Sequence, residues 1–200
     1  MTVLNEVVWK TYILLAASII CYLIGAHIPL ISNPIINIVT LISILILVIY
    51  IKHYLLLFCF ALNLGFIHNL MFEIIFQMNP NIIIITLGST FLTFGGLSLI
   101  AFNVKTNNVN IFVIYGVLYT SLSTILWLTI LNIFLEIELL SLLITYVSIV
   151  IFSLYTIIDT YKMIHSPNSN PVDHALSLFL NFINLFVDIV KIISGKSQKK

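Results

Sequence analysis

Seven apolar runs separated by short breaks occupy nearly the whole chain, at residues 12–31, 35–51, 54–78, 82–102, 111–131, 139–161 and 176–193. A helix needs about 20 apolar residues to cross roughly 30 Å of hydrocarbon, within a range of about 17 to 25. Lipid leaves the open edge of a sheet without hydrogen-bond partners, so these runs are predicted to be helices despite their abundant Ile and Val. The breaks carry turn chemistry: Ser32-Asn33-Pro34, Lys52-His53, Asn79-Pro80-Asn81, 105–110, 132–138 and 166–171. The reading is an all-α membrane protein, one transmembrane domain over residues 1–200. Its helices are expected near 12–31, 35–51, 54–78, 82–102, 111–131, 139–165 and 173–193, with a lysine-bearing tail at 194–200.

Composition excludes the soluble alternatives. Hydrophobic residues make up 61% of the chain and charged residues 8%, where a soluble domain carries roughly 25% charged. At a mean hydropathy of +1.19, a chain folded in water would expose large apolar patches and aggregate. A net charge of +1 argues against nucleic acid as a partner, because phosphate binding needs many cations. The lipid bilayer is the implied partner. The first run is too long for a cleavable signal and is expected to remain as an anchor. No G-x-S-x-G, H-E-x-x-H or P-loop pattern occurs, so no enzyme is expected and no cofactor. Cys21 and Cys59 lie in apolar runs and read as small buried thiols. His27, His53, His68, His165 and His174 lack metal-ligand spacing and read as helix-end or interface residues. Gly88, Gly95 and Gly96 are expected to allow close helix approach, and Trp9 and Tyr12 fit an interfacial belt.

Lys10, Lys52, Lys105 and Lys162 fall before the first run and in the connections after the second, fourth and sixth. The positive-inside rule then makes the N-terminus cytosolic. Lys191, Lys196, Lys199 and Lys200 fall on the far side if the seventh segment crosses, or on the same side if it is re-entrant; both readings stay open.

Ionisable groups in a membrane span are costly and mark function by default. In the seventh segment Asp173, Ser177, Asn181, Asn184, Asp188 and Lys191 are spaced 4, 4, 3, 4 and 3 apart, one narrow stripe on a helix. Taken alone, the stripe suits an interfacial anchor as well as a helix inside a bundle. In the sixth, Ser141, Thr145, Ser148, Thr156 and Asp159 form a matching stripe, although Ser and Thr alone are ordinary packing residues in membranes. At ~1.5 Å per residue, Asp159 and Asn181 lie roughly 9 and 12 Å from the loop, at similar depth. Asn69, Glu73 and Gln77 make a third face, on the third segment, which suits an interfacial helix end as well as a pore mouth.

Three stretches carry a resemblance. Residues 77–102, QMNPNIIIITLGSTFLTFGGLSLIAF, hold an Asn-Pro, a central Thr and a Leu-Ser; residues 154–164, LYTIIDTYKMI, hold an Asp-Thr; residues 176–186, LSLFLNFINLF, follow at short distance. Together they resemble the Bax inhibitor one family over essentially the whole chain. The resemblance implies a seven-helix bundle with the C-terminal helix central. It further implies a pH-sensitive calcium leak that suppresses cell death, calcium being the permeant ion, and membrane proteins of cell-death control as possible partners. The location it implies is the endoplasmic reticulum or a related endomembrane, or the plasma membrane if bacterial. The family's aspartate pair maps to Asp159 and to Asn181, where this sequence departs from the pattern. Asp188, Asn184 and Glu73 complete the candidate pore and sensor residues, with transient calcium at Asp159. A non-conducting interaction protein and a proton-coupled cation transporter remain as alternatives.

Overall fold

The computed structural model describes residues 3–28, 34–104, 111–166 and 169–198. Among them are seven helices and no strand: α1 (Val3–Ala26), α2 (Pro34–Ile51), α3 (Tyr54–Met78), α4 (Asn81–Asn103), α5 (Ile111–Leu135), α6 (Glu138–His165) and α7 (Pro171–Gln198). All but α2 are long and apolar enough to cross a membrane. With 18 residues, α2 lies at the short end of the spanning range. The chain is thus an integral, multi-pass membrane protein.

Helix ends depart from the apolar runs where polar chemistry extends or stops a helix. α1 begins at Val3 rather than 12 and ends at Ala26, ahead of 31; residues 29–31 lie outside the described ones. Its extra turns carry Glu6 near the N-terminus, where a carboxylate suits the helix dipole, bonded to Lys10 at 2.6 Å. α7 begins at Pro171 rather than 173 because Asn170 caps it, its Oδ1 accepting from the Val172 N–H at 2.9 Å. Proline at the first helical position presets the required φ. α5 continues to Leu135, beyond 131. It closes at Glu136, whose φ of 52° ends helical geometry while Asn132 Oδ1 accepts from the Ile137 N–H. Between α3 and α4, Asn79 is extended, as a residue before proline prefers, and its Oδ1 accepts from the Asn81 N–H.

The described chain forms two compact units, one of residues 1–83 and 162–180, the other of 84–161 and 181–200. In the first, α1 and α3 cross with their backbones in contact. A Cβ on Gly25 would lie 2.2 Å from the Leu62 carbonyl oxygen, and one on Gly65 would lie 2.2 Å from the Tyr22 carbonyl oxygen. Asn69 donates to the Ala26 carbonyl one turn further along, at 2.9 Å. Tyr22 is buried there, its hydroxyl 2.8 Å from His68 Nδ1 and its ring edge-on to Phe72 and Phe179. The expectation for Gly88, Gly95 and Gly96 fails: a Cβ on any of them meets nothing within 4 Å. Those three face open surface, and the close crossing lies elsewhere.

Other residues are placed differently from their sequence reading. Cys59 is exposed and Cys21 half-buried, since an apolar residue in a span can face lipid as readily as protein. Four histidines do sit at helix ends, with His53 capping α3, but His68 is inside α3, on Tyr22. Asn69 of the third polar face is buried while Glu73 and Gln77 are exposed.

At one end of the first unit, Lys52 donates to Asp173 at 2.6 Å, and the Thr11 hydroxyl donates to the Pro171 carbonyl at 3.5 Å. The α2–α3 turn and the start of α7 therefore share an end. Both partners of the ion pair are at least 40% exposed, so Asp173→Asn is expected to change stability by less than about 1 kcal/mol. Thermal unfolding in detergent measures this; a shift several times larger would mean the pair fixes the α7 start.

α7 differs from the other spans in its surroundings. Its apolar window is 56% buried, against 6–33% for the others, so it is sheathed by protein while α5 faces lipid. Its apolar positions supply much of both cores: Phe179 packs edge-on against Phe60 in the first unit, and Phe182 meets Phe91 and Phe94 in the second. This is the position an amphipathic helix requires inside lipid, where a polar stripe has to face protein.

Candidate functional site

The second unit collects the polar stripe of α6 and the part of the α7 stripe from Asn181 onward. On α6, Thr145, Ser148, Thr156 and Thr160 are buried; on α7, Asn181 and Asp188 are. Buried α6 polar residues recur at intervals of three, four and eight, so they return to the same side of a 3.6-residue helix. That side meets the stripe of α7. Ser141, at the start of the α6 stripe, is exposed.

Asp159 is the first of two carboxylates in the seam. Its Oδ2 accepts from Asn181 Nδ2 at 2.8 Å and its Oδ1 accepts from the Tyr115 hydroxyl of α5 at 3.1 Å. Asn181 is 5% exposed, so its carboxamide is enclosed with this contact rather than turned to lipid. Both donors are neutral. A carboxamide can donate to an ionised carboxylate and, through its oxygen, accept from a protonated one, so this contact persists in either state. Tyr115 was missed in the sequence reading; the available signal was a phenolic hydroxyl inside an apolar span, which normally finds a partner.

A second carboxylate stands two turns along α7. Asp188 is 5% exposed. Its Oδ2 accepts from the Ser148 hydroxyl of α6 at 2.5 Å, and its Oδ1 lies 3.4 Å from the Lys191 ammonium. The seam therefore has two rungs, Asp159 with Asn181 and Ser148 with Asp188, as antiparallel neighbours require: moving back along α6 pairs with moving forward along α7. Asn184 lies between the rungs on α7, partly buried. Glu73 is not among these groups; it is exposed on α3, in the first unit.

Two buried hydroxyls of this unit, on Thr160 and on Ser98 of α4, have no hydrogen-bond partner among the described residues. Thr160 is fully buried and adjoins Asp159 in the chain. Among the described residues no three His, Cys, Asp or Glu side chains come close enough to hold a metal ion. The donor set is oxygen-based, from carboxylates, carboxamides and hydroxyls, which suits a hard cation better than a soft metal.

An uncharacterized protein of Campylobacter jejuni is 32% identical over 111 residues, covering 55% of this chain and 46% of that protein. Uncharacterized proteins of two Helicobacter pylori strains are each 31% identical over 113 residues, covering 56% of this chain and 48% of theirs. The matched segment thus spans about half the length of these relatives. The family profile described as inhibitor of apoptosis-promoting Bax1 matches residues 4–198. With that match running from α1 to the end of α7, the chain belongs to the Bax inhibitor family.

Proposed function

We propose that this membrane protein is a pH-influenced calcium leak that suppresses cell death, its ion route running along the seam between α6 and α7. The observation that carries the reading is Asp159 held by Asn181 and Tyr115 within protein, at 2.8 and 3.1 Å. A carboxylate in a span is retained at a cost, and calcium takes hard oxygen ligands in a flexible shell of about six to eight. Asp159, Asn181, Asn184, Asp188 and the α6 hydroxyls supply such oxygens along one line. The lysine distribution supports a cytosolic N-terminus. Conduction of this kind needs no cofactor and no catalysis.

The test is calcium efflux from sealed, calcium-loaded liposomes containing the purified chain, measured against protein-free liposomes. Efflux above that background is expected. Efflux no faster than background would reject the leak and favour a non-conducting interaction protein, whereas efflux requiring an opposed proton gradient would favour a coupled transporter.

A pH prediction follows from Asn181. Two carboxylates in contact cannot both ionise freely and titrate as a unit, while an aspartate–asparagine pair has one ionisable group. Asn181→Asp is expected to make efflux depend more steeply on pH than in the native chain. Identical pH profiles would refute a role for this pair in pH response.

A further inference from the structure

The second rung has a feature that the first lacks. Asp188 is almost fully enclosed, its side chain 7% exposed, yet its ionic neighbour Lys191 keeps a side chain 56% exposed. The two carboxylate oxygens are held differently. Oδ2 takes the Ser148 hydroxyl from the facing helix at 2.5 Å. Oδ1 takes the ammonium at 3.4 Å, well beyond the roughly 2.7–2.9 Å of a firm charge-assisted bond.

That contrast defines what each group can do. Ser148 is short, buried and fixed on α6, so it positions the carboxylate. Lys191 has a four-carbon stem with its head at the surface, and such side chains move readily between an internal anion and the interface. It lies one turn beyond Asp188, next to the polar and basic residues 194–200, so its alternative position is the headgroup region. Oδ1 is therefore an anionic oxygen already occupied by a cation, but a loosely held, tethered and removable one. The ligand class this indicates is a cation. Asn184, one turn back on the same face, adds an amide near the position.

We propose that Asp188 and Ser148 form a second cation site in the α6–α7 seam, and that the Lys191 ammonium is its built-in counter-ion, displaced when a divalent cation binds. This rests on the seam being the ion route, and it adds regulation to that route: the lysine competes with the passing ion at one of two carboxylates. Removing the ammonium opens the site, and removing the carboxylate abolishes it. Desolvating a doubly charged ion beside an ammonium is disfavoured by like-charge repulsion, so the lysine moves away as the cation enters.

The experiment uses the full chain in detergent micelles and measures equilibrium binding of radioactive calcium at fixed pH and ionic strength. Lys191→Gln is expected to tighten binding at least about threefold, Lys191→Arg to leave it near native, and Lys191→Gln combined with Asp188→Asn to cancel the gain. Lys191 is exposed, so its replacement leaves the fold intact; thermal unfolding identical to native checks this. Unchanged calcium affinity in Lys191→Gln overturns the proposal, as does a gain that survives Asp188→Asn. Liposome efflux separates this from the leak reading. Native efflux with no gain in Lys191→Gln binding removes the second site alone, while the binding gain without any efflux keeps the site and removes the leak.

Discussion

A chain carrying Gly65→Ala is expected to lose the folded first unit. A Cβ at that position would lie 2.2 Å from the Tyr22 carbonyl oxygen and 2.8 Å from the Ala26 nitrogen, where ordinary non-bonded contact is roughly 3.5–4.0 Å. The obstructing atoms are backbone, fixed by the hydrogen bonds of α1, so no side chain can swing aside. The two helices would have to part by about 1 Å or more, loosening the packing that lies outside the crossing as well. The Asn69 bond to Ala26, at 2.9 Å, would lengthen, and Tyr22 would draw away from His68 and Phe72. Overpacking usually costs about 1–3 kcal/mol and sometimes more; in a bilayer, where close van der Waals packing is the chief force between helices, the upper end is expected. Gly96→Ala serves as the control, since its Cβ meets nothing within 4 Å. Retained fraction after graded heating in detergent should collapse for Gly65→Ala and match the native protein for Gly96→Ala. Equal melting of both variants would mean that α1 and α3 do not cross where Gly25 and Gly65 meet.

The contrast between these glycines explains what the sequence conceals. All seven helices were legible, because lipid leaves one structural solution for a long uncharged run and hydropathy finds it directly. The α7 stripe was legible for a related reason: six polar residues in three- and four-residue steps amid Leu, Phe and Ile leave a single face, although the stripe alone fits an interfacial anchor as well as an interior helix, and the structure encloses it. The contact of Asp159 with Asn181 followed from depth counted on either side of a short loop. Helix starts and stops were less accessible, since hydropathy marks where hydrocarbon begins and not where hydrogen bonding does; Asn170-Pro171 and the Glu6 turn extend helices past that limit. A crossing point is tertiary and has no local signature at all. Gly88, Gly95 and Gly96 have the same composition as Gly25 and Gly65, and only the partner helix distinguishes them. Tyr115 and the division of Asp188 between Ser148 and Lys191 belong to the same class, because three-dimensional neighbours select one oxygen and not the other.

Loss of calcium efflux to the level of protein-free liposomes is the expected result for Asp159→Ala. The substitution removes the anion in the seam and with it the acceptor of the Asn181 carboxamide and the Tyr115 hydroxyl, both donors lying in contact at 2.8 and 3.1 Å. Depriving a buried donor of its acceptor costs about 1–3 kcal/mol, so Asp159→Ala is also expected to melt earlier, and reduced efflux alone would not separate a lost ion ligand from a loosened seam. Asp159→Asn makes the separation. Its carboxamide oxygen still accepts a hydrogen bond and its volume is nearly unchanged, so stability should stay close to native, while the negative charge that draws a divalent cation into a low-dielectric route is gone. Efflux lost in both variants, with thermal stability kept in Asp159→Asn, assigns the effect to charge. Native efflux from Asp159→Asn would mean that this position is a hydrogen-bonding joint between α5, α6 and α7, and the ion route would then have to be sought at the Asp188 rung, where a carboxylate remains.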